Sequence, residues 1–257
     1  MKQVTAIIEA RLNSKRLPNK VLKKIKNKEI ISIILERLKK SKMIDQIVVA
    51  TTNNKNDNKL IRLLNKKKIK FFRGSENNIF DRVFKTAEKF KADIIVRVTA
   101  DNPFTDPLII DYMLKYFKKY KKLDFLTNNY FGNETKRNLA YGLDISIFSF
   151  NSLKLLSSQK KNKTLKEFPT LNYFTKFSKK NLIIKNINLP KKMIIDKKYR
   201  LTVDTNEDLK FIRKIFNHIK STRIKINQLR KILIKNFSFF RDNSNIRQFI
   251  PNYKNLK

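Results

Sequence analysis

Short apolar runs alternate with stretches of helical spacing through the first half of this chain, and that alternation restricts the fold more than any other feature. Residues 4–8 (VTAII) read as a buried strand leading into a basic loop over 11–20, and Ile30, Ile31, Ile34, Leu35 and Leu38 then recur at helical spacing. Residues 46–51 (QIVVAT) form a second buried strand closed by the Asn-rich turn 52–58. Leu60, Ile61 and Leu64 mark a helix and residues 70–73 a strand. Ile79, Val83, Phe84, Ala87 and Phe90 mark the next helix, and 93–98 the next strand. Pro107 suits a helix start, where its missing N–H does no harm, and Ile110, Met113, Leu114 and Phe117 supply the buried face. Such a pattern implies an α/β fold, a mostly parallel sheet flanked by helices on both sides.

The second half is less regular. Residues 124–127 and 143–148 read as strands, 153–156 and 168–177 as helical, 182–188 as extended, and 200–203 as a short strand running into Asp204. Leu209, Ile212, Ile215 and Phe216 place a helix over 206–218, and 226–234 gives one more. The chain divides on this reading into a main domain over 1–220 and a C-terminal helical and irregular tail over 221–257.

With 257 residues and 41% hydrophobic content the chain can bury one large core. It contains no cysteine, which excludes disulfides and thiolate metal sites. The longest apolar runs, 30–35 and 94–96, fall far short of the ~20 residues of a membrane span, and the first residues lack a signal peptide pattern; a cytoplasmic protein is expected. The formal net charge is +39, which raises nucleic acid as a partner. The Lys-rich stretches (23–24, 39–40, 66–68, 118–122, 160–161, 191–192) gather into no single arm, however, and glycine is confined to positions 74, 132 and 142. Solvated Lys-rich faces and a drifted composition account for this better, so nucleic acid is not an expected partner. The same surface favours the approach of an anionic nucleotide.

Three segments at strand ends carry residues suited to chemistry, and ligands of open α/β sheets bind at such ends. Loop 11–20 combines Arg11, Lys15, Arg16 and Lys20 with Ser14 and Pro18, a set that can grip phosphate oxygens. The strand over 93–98 leads to Asp101, and the strand over 200–203 ends at Asp204. Thr205 or Asn206 caps the helix that follows, with Glu207 and Asp208 complementing its dipole, which leaves Asp204 without a structural task. Two aspartates at two strand ends suit Mg²⁺ held by one or two carboxylates plus substrate phosphates. The lone histidine, His218, suits a helix end rather than catalysis, and no zinc set, P-loop or Gly-x-Gly-x-x-Gly fingerprint is present.

Residues 7–11 (IIEAR), Ser14, 16–18 (RLP) and 20–22 (KVL) resemble the signature of CMP-sugar-acid synthetases (CMP-KDO and acylneuraminate types). The resemblance is closer to their relatives, the cytidylyltransferases of the spore-coat polysaccharide biosynthesis protein F type. It continues through 47–52 (IVVATT), 72–76 (FRGSE), 81–82 (DR), 96–101 (VRVTAD), 106–107 (DP), 142–144 (GLD) and 201–204 (LTVD) with Glu207-Asp208. It implies a glycosyltransferase-A-like nucleotidyltransferase fold, Rossmann-like, and an enzyme that couples CTP to a sugar acid with loss of pyrophosphate. On the matching positions, Arg11, Ser14, Arg16 and Lys20 would hold the phosphates, and Arg73, Ser75, Asp81 and Arg82 would line the nucleoside pocket. Asp101 and Asp204 would carry Mg²⁺, Arg97, Asn128 and Asp144 would face the sugar, and Arg11, Lys20, Asp101 and Asp204 would form the catalytic set. Analogy also points to a homodimer.

Departures from the family pattern fall at several places. Asn13, Asn19, Asn27 and Ala100 stand where glycine is usual; Asn tolerates left-handed backbone, whereas Ala100 is expected to strain the approach to Asp101. Ser146 replaces an acid, and 166–168 (KEF) lacks the Arg and His of an Arg-Glu-His triplet. Two alternatives stay open at this point: a glycosyltransferase that consumes a nucleotide sugar, and a basic nucleic-acid-binding protein.

Overall fold

Strand β1 (Val4–Glu9) can lie at the centre of a sheet because it is apolar on both faces. Val4, Ala6 and Ile8 join one core and Ile7 the other, all without solvent exposure. The computed structural model describes residues 2–128, 137–158, 182–219, 221–222, 224–236 and 242–246, and the helix expected over 168–177 lies outside them.

After β1 come a short hairpin, β2 (Lys24–Ile25) and β3 (Lys28–Glu29), then α1 (Ile30–Leu38), β4 (Gln46–Thr52), α2 (Asn58–Lys66) and β5 (Lys70–Gly74). α3 (Ile79–Lys89), β6 (Ile94–Thr99), α4 (Pro107–Lys119), β7 (Phe125–Thr127), β8 (Ser146–Ser149) and α5 (Phe150–Ser157) follow. β9 (Ile184–Asn186), α6 (Asn206–Asn217) and α7 (Ile226–Lys235) complete the described elements. The sheet order is β5-β4-β1-β6-β8-β7-β9; β8 alone runs against its neighbours. The mostly parallel sheet expected from the alternating pattern is therefore the one observed. Residues of α1, α2, α4, α6 and α7 pack in the core on one face, and those of α3 and α5 on the other. The tail over 221–257 contributes Ile224, Ile226, Leu229 and Leu233 to the larger core.

Local chemistry explains the starts of the helices. Asp106 accepts from the Leu108 N–H at 2.9 Å ahead of Pro107, and Asn78 accepts from the Asp81 N–H at 2.8 Å. Thr205 and Asp208 form a reciprocal capping box on α6. Arg37, 2% exposed, ties α1 to the turn before α4 and to the segment before α7: it donates to the carbonyls of Thr105 and Ile224 at 2.7 Å and to Asp106 at 3.1 Å.

Three expectations need correction, and one element has no counterpart among them. The β2–β3 hairpin has no sequence signal beyond Lys26-Asn27, whose φ angles of 47° and 61° give the left-handed pair a tight hairpin turn requires. Asn19 is also left-handed, at φ 56°, but Asn13 and Ala100 are not, so the strain expected at Ala100 is absent. The strand expected over 143–148 begins only at Ser146, because Asn128 instead takes up the backbone of Leu143 and Ile145. The strand expected over 200–203 is a single bridge to Tyr141: the Leu201 N–H goes to the Tyr141 carbonyl at 2.8 Å and the Val203 N–H to the Asp101 carbonyl at 2.9 Å, two different neighbours.

That bridge depends on Gly142. Its φ is 95°, and a Cβ there would lie 2.6 Å from the Leu201 carbonyl carbon and oxygen, backbone atoms that cannot swing aside. Gly142→Ala should destabilise the protein by about 2–4 kcal/mol from the backbone conformation and the overlap together. Thermal unfolding checks this, with a midpoint lowered by several degrees expected.

Candidate active site

The parallel strands β1, β4, β5 and β6 end on one edge of the sheet, and the loops that leave them carry the charged residues. Loop 11–20 folds back on itself: the Ser14 and Asn19 N–H groups both donate to the Leu12 carbonyl at 2.9 Å, while Leu12 and Leu17 are buried pegs at 3% exposure. Left-handed Asn19 then opens the single turn Lys20–Leu22. The base of the loop is fixed by Asp57, fully buried, which accepts from the Leu12 N–H at 2.7 Å, the Thr51 hydroxyl at 2.9 Å, the Thr52 N–H at 3.1 Å and the Thr52 hydroxyl. Four donors fill the acceptor sites of one carboxylate, which makes its burial tolerable. The next residue of the loop is held by Glu76, which accepts from Asn13 at 3.0 Å and Asn54 at 2.8 Å and so joins the loops after β1, β4 and β5. Those two amides hold the Glu76 carboxyl below the ordinary glutamate range.

The loop delivers Lys20 and Arg16 to the two aspartates. Lys20 Nζ lies 2.6 Å from Asp101 Oδ2 and 2.9 Å from Asp204 Oδ1, and Arg16 Nη2 reaches the same Asp204 oxygen at 3.1 Å. The far oxygen of Asp204 binds Arg200 Nη2 at 2.6 Å, and Arg200 Nε binds Asp208 at 2.9 Å. Asp208 also accepts from the Asp204 N–H at 2.9 Å and from Asn243 at 2.8 Å, so the C-terminal segment braces the cluster. Burial alone would weaken the Lys20 ammonium, but the two carboxylates outweigh it and hold its pKa above the ordinary lysine value. Burial likewise opposes the Asp204 charge, and Lys20, Arg16 and Arg200 outweigh it, leaving Asp204 below the ordinary aspartate range.

The remaining candidates divide by contact. Arg73 donates to the Thr52 and Asn54 carbonyls at 3.0 and 2.9 Å and to Asn58 at 3.0 Å, which shapes the β4–α2 turn. The Ser75 hydroxyl accepts from the Asn78 N–H at 3.0 Å, and Asp81 pairs with Lys85 at 3.1 Å in α3. Arg82, 1% exposed, donates to the Ser75 carbonyl; burial lowers its guanidinium pKa although Glu9 opposes that. Half-buried Arg11 adds its charge beside Arg82 and Glu76. Arg97 forms a two-pronged pair with Glu9, 3.0 Å on one side. Asn128 is buried, with its amide spent on the backbone of Leu143 and Ile145 at 3.2 and 2.8 Å. Asp144 accepts from Nη2 of Arg137 at 2.8 and 2.9 Å, and the Arg137 guanidinium lies 3.8 Å from the Tyr141 ring centroid.

Sequence reasoning thus brought forward Arg16, Lys20, Asp101 and Asp204, which the structure gathers at one point. It missed Asp57, Glu76, Arg200 and Arg137. Of these, Arg200 had a usable signal: it precedes Asp204 by four residues and Asp208 by eight, and alone among nearby cations it follows the apolar Tyr199 into a buried strand-like run.

A Rossmann-like sheet with basic and acidic loops converging on its carboxyl edge defines a nucleotidyltransferase. More particularly, the chain belongs to the cytidylyltransferase family, whose model matches residues 5–239. It is 35% identical over 253 residues to an uncharacterized protein of Methanocaldococcus jannaschii, with 96% of each chain covered. It is 30% identical over 224 residues to the spore coat polysaccharide biosynthesis protein SpsF of Bacillus subtilis, covering 84% of this chain and 87% of that one. The structure of a cytidylyltransferase from Leptospira borgpetersenii matches with a TM-score of 0.81 at 30% identity, over 97% of this chain and 100% of that one.

Because Asp204 ionises below the ordinary aspartate range, its pairs contribute stability that is present above about pH 4 and lost as pH falls through the depressed folded value. Asp204→Asn, which mimics the protonated side chain, should therefore lower the thermal midpoint at pH 7. Unfolding curves taken down the pH scale should show the gap from wild type closing below about pH 4.

Proposed function

We propose that this chain transfers the cytidylyl group of CTP to a sugar acid and releases pyrophosphate, supplying a CMP-sugar for cell-surface polysaccharide synthesis. What carries the reading is the meeting of Arg16 and Lys20 with Asp101 and Asp204 at the carboxyl edge of the sheet, in a chain of the cytidylyltransferase family. The sugar-acid substrate is supported by the resemblance of residues 7–22 to the CMP-sugar-acid synthetases, and the polysaccharide context by the likeness to SpsF. Family membership also favours nucleotidyl transfer over the glycosyltransferase and nucleic-acid alternatives.

In this reading the sugar hydroxyl oxygen bonds to the α-phosphorus in line with the bond to the β-phosphate bridging oxygen. That bond breaks, pyrophosphate carries the electron pair away, and the hydroxyl proton passes to solvent. Arg11, Ser14, Arg16 and Lys20 bind the phosphates; such chemistry is mainly positioning and charge neutralisation. Ser75, Asp81 and Arg82 border the nucleoside, with Arg73 shaping the turn beside it. Arg97, Asn128 and Asp144 lie toward the sugar, Asp144 held in place by Arg137.

The donor set fits Mg²⁺. Asp101 and Asp204 offer hard oxygens already drawn around one ammonium, and among the described residues no group of three or more His, Cys, Asp or Glu side chains is placed to hold a metal, as suits an ion completed by phosphate oxygens and water. Held by Asp101 and Asp204, Mg²⁺ would supply charge neutralisation to the triphosphate.

A pyrophosphate-release assay with CTP, Mg²⁺ and a panel of sugar acids tests the reading. Asp101→Asn should lower kcat/KM by about a thousandfold, from a close charge pair of roughly 4 kcal/mol at an effective dielectric near 20. In a thermal-shift panel of CTP, UTP, GTP and ATP, each with and without Mg²⁺, CTP with Mg²⁺ should give the largest rise. A larger shift with another nucleotide, or no pyrophosphate with any sugar acid, would sink the proposal.

A further inference from the structure

We infer that Lys20 is a built-in counter-ion that keeps a divalent cation off Asp101 and Asp204 until a polyanion draws its ammonium away. The inference rests on the reading of this edge as the cation and nucleotide site, and it adds an order to the binding: triphosphate and metal enter together, and metal alone is turned away.

The argument is one of shared oxygens and local charge. Lys20 Nζ takes Asp101 Oδ2 at 2.6 Å and Asp204 Oδ1 at 2.9 Å, so the ammonium occupies one oxygen of each carboxylate. Asp204 Oδ1 is shared further with Arg16 at 3.1 Å, and its other oxygen is taken by Arg200 at 2.6 Å. The cluster counts three cations (Arg16, Lys20 and Arg200) against three carboxylates (Asp101, Asp204 and Asp208), so it is balanced without a metal. A divalent ion added to it would leave a surplus of two positive charges in a largely buried place, which is unfavourable unless a cation leaves or an anion arrives.

The three cations are not equally free to leave. The Arg200 side chain is 5% exposed and fixed by Asp208, which the α6 cap and Asn243 hold in turn. Lys20 and Arg16 both come from the loop after β1, and Arg16 is 45% exposed. The Lys20 ammonium is a point charge on a flexible four-carbon stem, able to exchange a carboxylate for a phosphate by rotation. A triphosphate at the loop would take up both side chains, expose the two carboxylates and add the negative charge that a divalent ion requires. Metal and nucleotide are then positively coupled, and the coupling is reciprocal.

The absence of cysteine from the chain provides a direct test. Lys20→Cys introduces a unique thiol, which iodoacetamide converts to a neutral amide and 2-bromoethylamine to an ammonium of lysine length. Nucleotide-free samples of the two forms are titrated with Mn²⁺, and free Mn²⁺ is counted by electron paramagnetic resonance. The amide form should bind one Mn²⁺ at least tenfold more tightly than the ammonium form, and Asp101→Asn should abolish the gain. Equal affinities in the two forms, or a gain that survives Asp101→Asn, overturn the inference. If K20C does not fold by circular dichroism, K20Q against wild type makes the same comparison, with the same outcomes. Failure of the cytidylyl-transfer reading appears elsewhere, as absent pyrophosphate release by the wild type, on which the Mn²⁺ titration does not depend.

Discussion

Asp101 and Asp204 stand more than a hundred positions apart in the chain and share one ammonium. A buried carboxylate without a partner is too costly to keep, so each charge in this cluster makes its neighbours necessary. Lys20 requires the loop after β1 to return across the sheet edge. Asp204 requires the run before α6 to pass between Tyr141 and Asp101, and Gly142 makes room for that passage. Arg200 requires Asp208, so the same carboxylate both caps α6 and anchors the cluster. Removing any one element from this set leaves a charge stranded, which is why the C-terminal part of the chain cannot be separated from this edge of the sheet.

The parts that sequence could reveal are those with a local signature. β1, β4 and β6 are runs of Val, Ile and Ala buried on both faces, and the change from apolar to polar at their ends marks where the ligand edge lies. Lys20, Asp101 and Asp204 stand out because acids are few and both aspartates sit beyond such runs. Asp57 and Glu76 could not be read the same way. Their value lies in hydrogen bonds to residues 45 and 63 positions away, Leu12 and Asn13, and no periodicity records a contact of that length. The hairpin at 24–29 was hidden because lysine and asparagine fill a turn where glycine is the usual signal. β8 was shortened at its start for a related reason, since the Asn128 side chain satisfies backbone groups a strand partner would have taken.

The contrast between the exterior and the site bears on the surplus of positive charge. Most lysines are solvated and scattered, and they raise the general attraction for anions without choosing among them. A smaller set of cations is fixed by named partners: Lys20 between two aspartates, Arg82 under the β5–α3 turn, Arg137 between Asp144 and Tyr141. Long-range attraction and short-range geometry are thus carried by different residues.

The bridge from Asn13 through Glu76 to Asn54 has a further consequence. It couples three loops that would otherwise move independently, and it does so through side-chain amides before any ligand is present. The conformational entropy lost in ordering those loops is therefore charged to folding rather than to association, which leaves more of the interaction free energy to appear as affinity. Loops stiffened in this way should meet a ligand with little backbone rearrangement, so that recognition on that side approaches rigid docking.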